Sequence, residues 1–253
     1  MRQAQKENSG LARSSADAPR NEVLLRRLKS YGSVAEAAAA SALGSAKPEV
    51  VAAGDVLFHE GQPRLRPRYV LSGWACLRRS LPDGRQQILE LLLPGDIIGL
   101  DAGPSSCTKS HIAALTSMTW VDANVADKCD NRTKGNDIKN NPTRSLDEEH
   151  AWLLEQIIRL GCLVGRERVA HLLLELHERL HRVGLVVDDS FVVPLTQEVL
   201  GDVLGLSIVH VNRALQQLRR ENLIEWKGNR VRLINRLELA ALSAYKNPLE
   251  LRA

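Results

Sequence analysis

Between Thr196 and Asn235 the order of capping, small, turn and apolar residues leaves room for very few folds. Thr196 is a good N-cap residue, and Gln197-Glu198-Val199-Leu200-Gly201-Asp202-Val203-Leu204 behind it forms a short amphipathic helix. Gly205-Leu206-Ser207 predicts a tight turn, in which Gly205 can take a left-handed conformation. Ser207 then caps a second helix running from Ile208 to about Glu221. Gly201 is small where the two helices must cross closely. Leu200, Leu204, Leu206, Val211 and Leu215 supply one shared core. This spacing is the helix-turn-helix pattern. After Leu223-Ile224, the segment Glu225-Trp226-Lys227-Gly228-Asn229-Arg230-Val231-Arg232-Leu233 reads as a two-stranded wing with its tip at Gly228-Asn229.

The second helix exposes His210, Asn212, Arg213, Gln216, Gln217 and Arg220. In a major groove, arginine pairs bidentately with guanine, and asparagine or glutamine with adenine. His210 and Arg213, near the start of the helix, are best placed for base edges. Thr196 and Ser207, at helix starts, suit phosphates, with Gln197 beside the first; Lys227 and Arg230 in the wing can reach the backbone. The whole chain carries only +4, with a pI near 9.0, so the placement of charge matters more than its total. Residues 196–236 hold seven Arg or Lys against four Asp or Glu, and 207–220 hold Arg213, Arg219 and Arg220 with no acid. These features predict double-stranded DNA as the partner. The alternative is a ligand-binding or protein-interaction signalling module that never touches DNA.

The remainder is organised as expected for a two-domain chain of 253 residues joined by a helix. Residues 1–20 are polar, and 22–30 and 33–43 read as two short helices; together 1–47 form an N-terminal disordered or helical segment. From 48 to 126 short apolar runs (Val56–His59, Tyr69–Leu77, Ile88–Leu93, Ile112–Val121) alternate with glycines, and Leu81-Pro82-Asp83-Gly84 is a turn. Many short strands with regular turn signals predict a sandwich or jelly-roll barrel. The polar stretch 127–145 reads as a connector. A long helix follows to about 166, in which Leu146, Leu153 and Leu160 occupy one heptad position and His150, Ile157 and Val164 the other. Such a narrow apolar seam predicts dimerisation, with packing on the barrel as the alternative. Gly161 and Gly165 mark a hinge. Residues 167–247 form the winged helix-turn-helix domain, opening with a helix over about 167–182 that Gly184 stops.

Several chemistries are not expected. Cys76, Cys107, Cys129 and Cys162 lie 22 to 33 residues apart with no CxxC pair, which fits thiols in a reducing cytosol; Cys107 and Cys129, on polar segments, are the redox candidates. His177 and His181 stand four apart on one helix, but no further ligand has a helpful spacing, so no metal is predicted. No apolar run approaches the roughly 18 residues of a membrane span. Arg2, Lys6 and Arg13 are not followed by a signal-peptide core, so a cytoplasmic location is expected. No GxxxxGK[ST], GxSxG or HExxH occurs, which argues against an enzyme.

Over about residues 48–245 the sequence resembles the bacterial Crp–Fnr family of transcription regulators. The resemblance rests on Leu71-Ser72-Gly73, Leu81-Pro82-Asp83-Gly84-Arg85, Leu93-Pro94-Gly95-Asp96, the linking helix, and Leu195-Thr196-Gln197 through Val211-Asn212-Arg213. It implies an α+β fold: an N-terminal double-stranded β-helix (a jelly roll like cyclic-nucleotide-binding domains), a long dimerisation helix and a C-terminal winged helix-turn-helix. It further implies a homodimer on a near-palindromic operator, with RNA polymerase and a small-molecule effector as other partners. Arg213 takes the place of the family's base-contacting arginine, but Val209 stands where many members carry glutamate. Cyclic-nucleotide binders have Gly-Glu followed by Arg-Ser or Arg-Thr. Here Gly99 precedes Leu100, and Ser110 and His111 hold the later positions, so cyclic AMP is not expected and no cofactor is implied. Residues 1–75 contain no cysteine for an iron–sulfur centre.

Overall fold

Short strands bounded by tight turns make up the first half of the protein. The computed structural model describes residues 22–27, 47–60, 68–99, 110–122 and 141–250, with side chains of the helix that starts at Asn141 described from Asp147. The expected helix over 33–43 and most of the connector lie outside these residues. Residues 22–27 form α1. Eight strands follow: β1 (Glu49–Val51), β2 (Val56–Phe58), β3 (Arg68–Ser72), β4 (Ala75–Ser80), β5 (Gln86–Leu92), β6 (Ile97–Ile98), β7 (His111–Ala114) and β8 (Met118–Asp122). They pair antiparallel as two sheets, β1-β8-β3-β6 and β2-β7-β4-β5. Phe58, Val70, Leu92, Ile112 and Trp120 belong to one buried cluster drawn from both sheets, as in a jelly roll.

Two apolar runs that read as single strands are each two. Tyr69–Leu77 divides at Gly73 into β3 and β4, which lie in different sheets, and Ile112–Val121 divides likewise into β7 and β8. Gly73 has φ +80°, and a Cβ there would collide with the backbone of Ser117 and Met118. Alternating hydropathy reports the pleat and is blind to the point at which a chain changes sheets.

The long helix α2 (Asn141–Cys162) begins before Leu146, with Pro142 in its first turn, where the missing N–H costs nothing. The expected connector is shorter at its end for this reason. The helix breaks at Leu163-Val164, and α3 (Gly165–Arg182) begins with the Glu167 carboxylate accepting from Val164 N at 3.0 Å. Gly184 has φ +74° and ends α3. The C-terminal part continues as β9 (Ser190–Val192), α4 (Gln197–Leu204), α5 (Ile208–Arg220), β10 (Ile224–Lys227), β11 (Arg230–Leu233) and α6 (Arg236–Ser243). The wing sheet has the order β10-β11-β9. Its third strand was not expected, because three residues carry too little periodicity to read.

α3 is the hub of the second core. Leu172, Leu173 and Leu176 join Trp74, Ile88 and Leu91 of the barrel to Leu200, Leu218 and Val231 of the C-terminal domain. Charged groups are buried at the same junction. Arg159, about 1% exposed, pairs with Glu175 and donates to Gln156 Oε1 at 2.5 Å. Arg159, Glu175 and Arg179 each have a partner of opposite charge, as burial away from water requires.

Candidate nucleic-acid interface

Local chemistry sets the angle between α4 and α5. Thr196 Oγ1 accepts from Val199 N at 3.2 Å, and Ser207 Oγ accepts from His210 N at 3.4 Å, so both predicted N-caps are in place. Gly205 is left-handed at φ +61°. A Cβ on Gly201 would lie 2.6 Å from Leu206 O, so only glycine lets the turn fold back this closely.

On α5, Val211, Ala214, Leu215 and Leu218 are buried. At about 100° per residue, the ridge opposite Val211 is Val209, Arg213, Gln216 and Arg220. All four are exposed. Among the described residues Arg213 and Gln216 have no side-chain partner, which leaves their donors available. The other predicted contacts on α5 are engaged within the motif. Asn212 Nδ2 donates to Gln197 Oε1 at 2.7 Å, Gln217 Nε2 to Glu221 Oε1 at 3.1 Å, and His210 Nδ1 lies 2.7 Å from Ser207 Oγ. In the wing, Lys227 pairs with Glu225 and lowers that carboxyl's pKa, while Arg230 projects into solvent. Trp226 Nε1 donates to Gly228 O at 3.0 Å and steadies the tip.

A further set of residues positions the motif, and sequence reasoning missed it. A helix leaves its last carbonyls without intrahelical donors. Those of α4 are met by three side chains from three other elements. Gln87 Nε2 on β5 donates to Asp202 O at 2.6 Å, Gln156 Nε2 on α2 to Val203 O at 2.8 Å, and Arg168 Nη1 on α3 to Leu204 O at 2.9 Å. Gln86 Nε2 adds a bond to Asp202 Oδ2 at 2.6 Å. In sequence these are ordinary polar residues, and no spacing links them.

Comparisons with known proteins agree with this geometry. A Crp-like helix-turn-helix domain model matches residues 167–242, and a cyclic nucleotide-binding domain model matches residues 48–121. The transcriptional activatory protein AadR of Rhodopseudomonas palustris is 30% identical over 195 residues, covering 75% of this chain and 78% of AadR. The chain belongs to the Crp–Fnr family. The nitrogen fixation regulation protein FixK of Bradyrhizobium diazoefficiens is 28% identical over 198 residues, covering 76% of this chain and 79% of FixK. The solved structure of FixK2 from Bradyrhizobium japonicum superposes with a TM-score of 0.68 at 26% identity, covering 80% of this chain and 99% of that one. Like its relatives, this Crp–Fnr protein is a DNA-binding transcription regulator, with the α+β barrel, helix and helix-turn-helix order of the family.

In this Crp–Fnr chain α2 turns Glu148, Trp152, Gln156 and Arg159 inward. His150 is exposed, as are Leu154, Ile157 (65%), Ile158 and Val164. Leu153 and Leu160 are half-buried, and the Leu146 side chain lies outside the described residues. The exposed apolar surface thus includes Ile157 and Val164 but extends to Leu154 and Ile158 rather than to Leu153 and Leu160. Of the predicted effector residues, Ser110 is buried, Gly99 is half-buried with φ +89°, and His111 meets His59 edge-on at 5.8 Å. Leu100, Cys107 and Cys129 lie outside the described residues. Burial pushes the Cys76 thiol up to about 11, while Cys162 is exposed. His177 stacks on His181 and bonds to Asp189 at 2.9 Å; no group of three possible metal ligands occurs among the described residues.

Proposed function

We propose that the protein acts as a homodimer on a near-palindromic operator, each α5 entering a major groove. The observation that carries this reading is the outward ridge of α5, where Arg213 and Gln216 keep their donors unengaged. Base reading falls to Arg213 and Gln216, with His210 at the helix start, while Thr196, Ser207, Lys227 and Arg230 meet the backbone. Gln197, Asn212 and Gln217 brace the motif in the free protein and can exchange those bonds for DNA. The dimer forms through α2, on the stripe His150, Leu154, Ile157, Ile158 and Val164, whose exposed apolar side chains a partner helix would cover.

The barrel reads an effector other than a cyclic nucleotide, since Leu100 supplies no acid for a ribose and neither Ser110 nor His111 is the arginine a cyclic phosphate needs. The relatives named as activators favour RNA polymerase as a further partner. No helix among the described residues is long and apolar enough to cross a membrane, in keeping with action on DNA in the cytoplasm. No catalytic role is assigned to any residue.

Binding to genomic fragments, including the protein's own promoter, at two salt concentrations tests the reading. Specific complexes that weaken steeply with salt are expected, and Arg213→Ala should abolish specificity while leaving the salt-dependent background. Unchanged operator affinity in Arg213→Ala would overturn the assignment.

A further inference from the structure

Where β5 meets α2, α3 and the end of α4, the fold leaves a carboxyl without a partner. A cavity with room for about one water molecule lies there, and its walls include Glu90, Trp152, Gln156, Arg159, Glu175 and Arg179. Among the described residues Glu90 has neither a hydrogen bond nor an ion pair. The cations around it are already committed. Arg159 is bonded to Gln156 and Glu175, and Arg179 gives its terminal nitrogens to Glu175, Asp96 and Leu91 O. Arg179 Nε is buried with no partner. The charges around Glu90 come from every element packed there: Asp96 from the turn after β5, Glu149 and Arg159 from α2, and Glu175 and Arg179 from α3. From α4 the cavity wall receives only Val203. With Glu90 ionised, four carboxylates would share two guanidiniums. Burial pushes the Glu90 carboxyl well above the usual range, and Glu149 pushes the same way against Arg179. A neutral carboxyl is what this arrangement tolerates.

The same corner holds the recognition motif in place. Gln156 Nε2 donates to Val203 O of α4 at 2.8 Å and lies 3.4 Å from Ile88 O, close to Glu90 on the same strand. Gln87, also on β5, donates to Asp202 O of α4 at 2.6 Å. Two of the three side chains that close the end of α4 therefore depend on how β5 lies against α2 and α4. We propose that Glu90 is a proton-operated latch on the recognition motif. Neutral, it lets β5 rest on α2 and α3 with α4 clamped; ionised, it parts them and frees α4, so that DNA binding is coupled to proton uptake at this residue. The clamped arrangement binds that proton more tightly than an opened one in which water reaches the carboxylate. Its population therefore falls as pH rises. The latch acts within each protomer and does not depend on how two protomers meet.

Two measurements on the full-length protein test it, each made on wild type and Glu90→Gln between about pH 5.5 and about pH 8.5. The amide copies the shape of the neutral carboxyl and cannot ionise. The first is hydrogen exchange of the α4 amides, corrected for the intrinsic pH dependence of exchange. Wild-type protection should fall as pH rises, while that of the variant stays level. The second is affinity, at fixed salt, for an operator selected from random duplex DNA. The ratio of variant to wild-type affinity should grow with pH, by up to about tenfold per pH unit for each protomer. Glu90→Leu, which also cannot ionise, repeats the comparison with different packing. Exchange profiles that run parallel in wild type and variants would overturn the latch. A latch seen in exchange, with an affinity ratio that does not change with pH, would overturn its coupling to DNA. If no operator is enriched, base reading by α5 has failed rather than Glu90, and the exchange profiles alone decide the latch.

Discussion

Arg179 Nη2 donates to Asp96 Oδ2 at 2.6 Å, so a helix of the DNA-binding half grips the turn between β5 and β6 of the barrel. The same guanidinium donates to Leu91 O at 2.7 Å and to Glu175 Oε1 at 3.0 Å. The other Glu175 oxygen takes Arg159 from α2. Barrel, dimer-proposed helix and α3 thus share one buried ion network. Arg179→Ala leaves Glu175 and Asp96 without their common cation, and unfolding in urea should show a loss of about 3–5 kcal/mol. Arg179→Lys should recover only part, because a single ammonium cannot serve two carboxylates and a carbonyl with a planar fork.

Acid stability follows from two carboxylates at this junction. Burial pushes both Glu148 and Glu175 up, but arginines outweigh it: Arg27 and Arg182 for the first, Arg159 and Arg179 for the second. Both folded pKa values are depressed, so their stabilisation is present above about pH 4.3 and is lost as pH falls through the folded values. Glu90 behaves oppositely. Its carboxyl is crowded by protein atoms, although the residue as a whole keeps some exposure, and Glu149 beside it adds to the rise. Its stabilisation is full below about pH 4.3 and disappears as pH rises through the raised value. Glu90→Gln should therefore raise the melting temperature at pH 8, with the gain shrinking towards pH of about 4 in a series of thermal melts.

The exposed stripe of α2 makes a separate prediction. Leu154→Asp with Ile157→Asp should yield a monomer by sedimentation, with little change in protomer melting because both residues already face solvent. Operator affinity should fall by a large factor, since a single half-site is left for each protomer. A dimer that persists would place the interface on another surface.

Arg168 ties α2 to the recognition motif. Its Nη2 donates to Leu160 O and its Nε to Leu163 O at the end of α2, while Nη1 donates to Leu204 O at the end of α4. A cation there also complements the negative ends of two helices. Arg168→Met keeps the apolar stem but leaves these carbonyls unmet, and should cost about 1.5–3 kcal/mol. Hydrogen exchange in α4 should accelerate before that in the barrel.

The recognition motif was legible because its determinants are local. Thr196, Ser207, Gly201 and Gly205 act on atoms within a few residues, and the buried row Val211, Ala214, Leu215 and Leu218 repeats with the helical period. The barrel was legible as a class, from its turns and short apolar runs, though not in its pairing. Position 73 shows why: a glycine announces a bend, while the sheets it joins depend on residues such as Ser117, far along the chain.

What the sequence determined alone was the order of barrel, long helix and recognition motif, the two helices of that motif and the chemistry of the α5 surface, all consequences of short-range sterics and periodicity. Which side of α2 faces the protein was decided only in three dimensions. Glu148, Gln156 and Arg159 look like solvent residues in sequence, yet they turn inward because Arg27, Arg182, Val203 O and Glu175 are waiting there. The clamp on α4 is of the same kind. Gln87, Gln156 and Arg168 come from a strand and two helices, and only packing brings their donors to the three carbonyls that α4 cannot satisfy for itself.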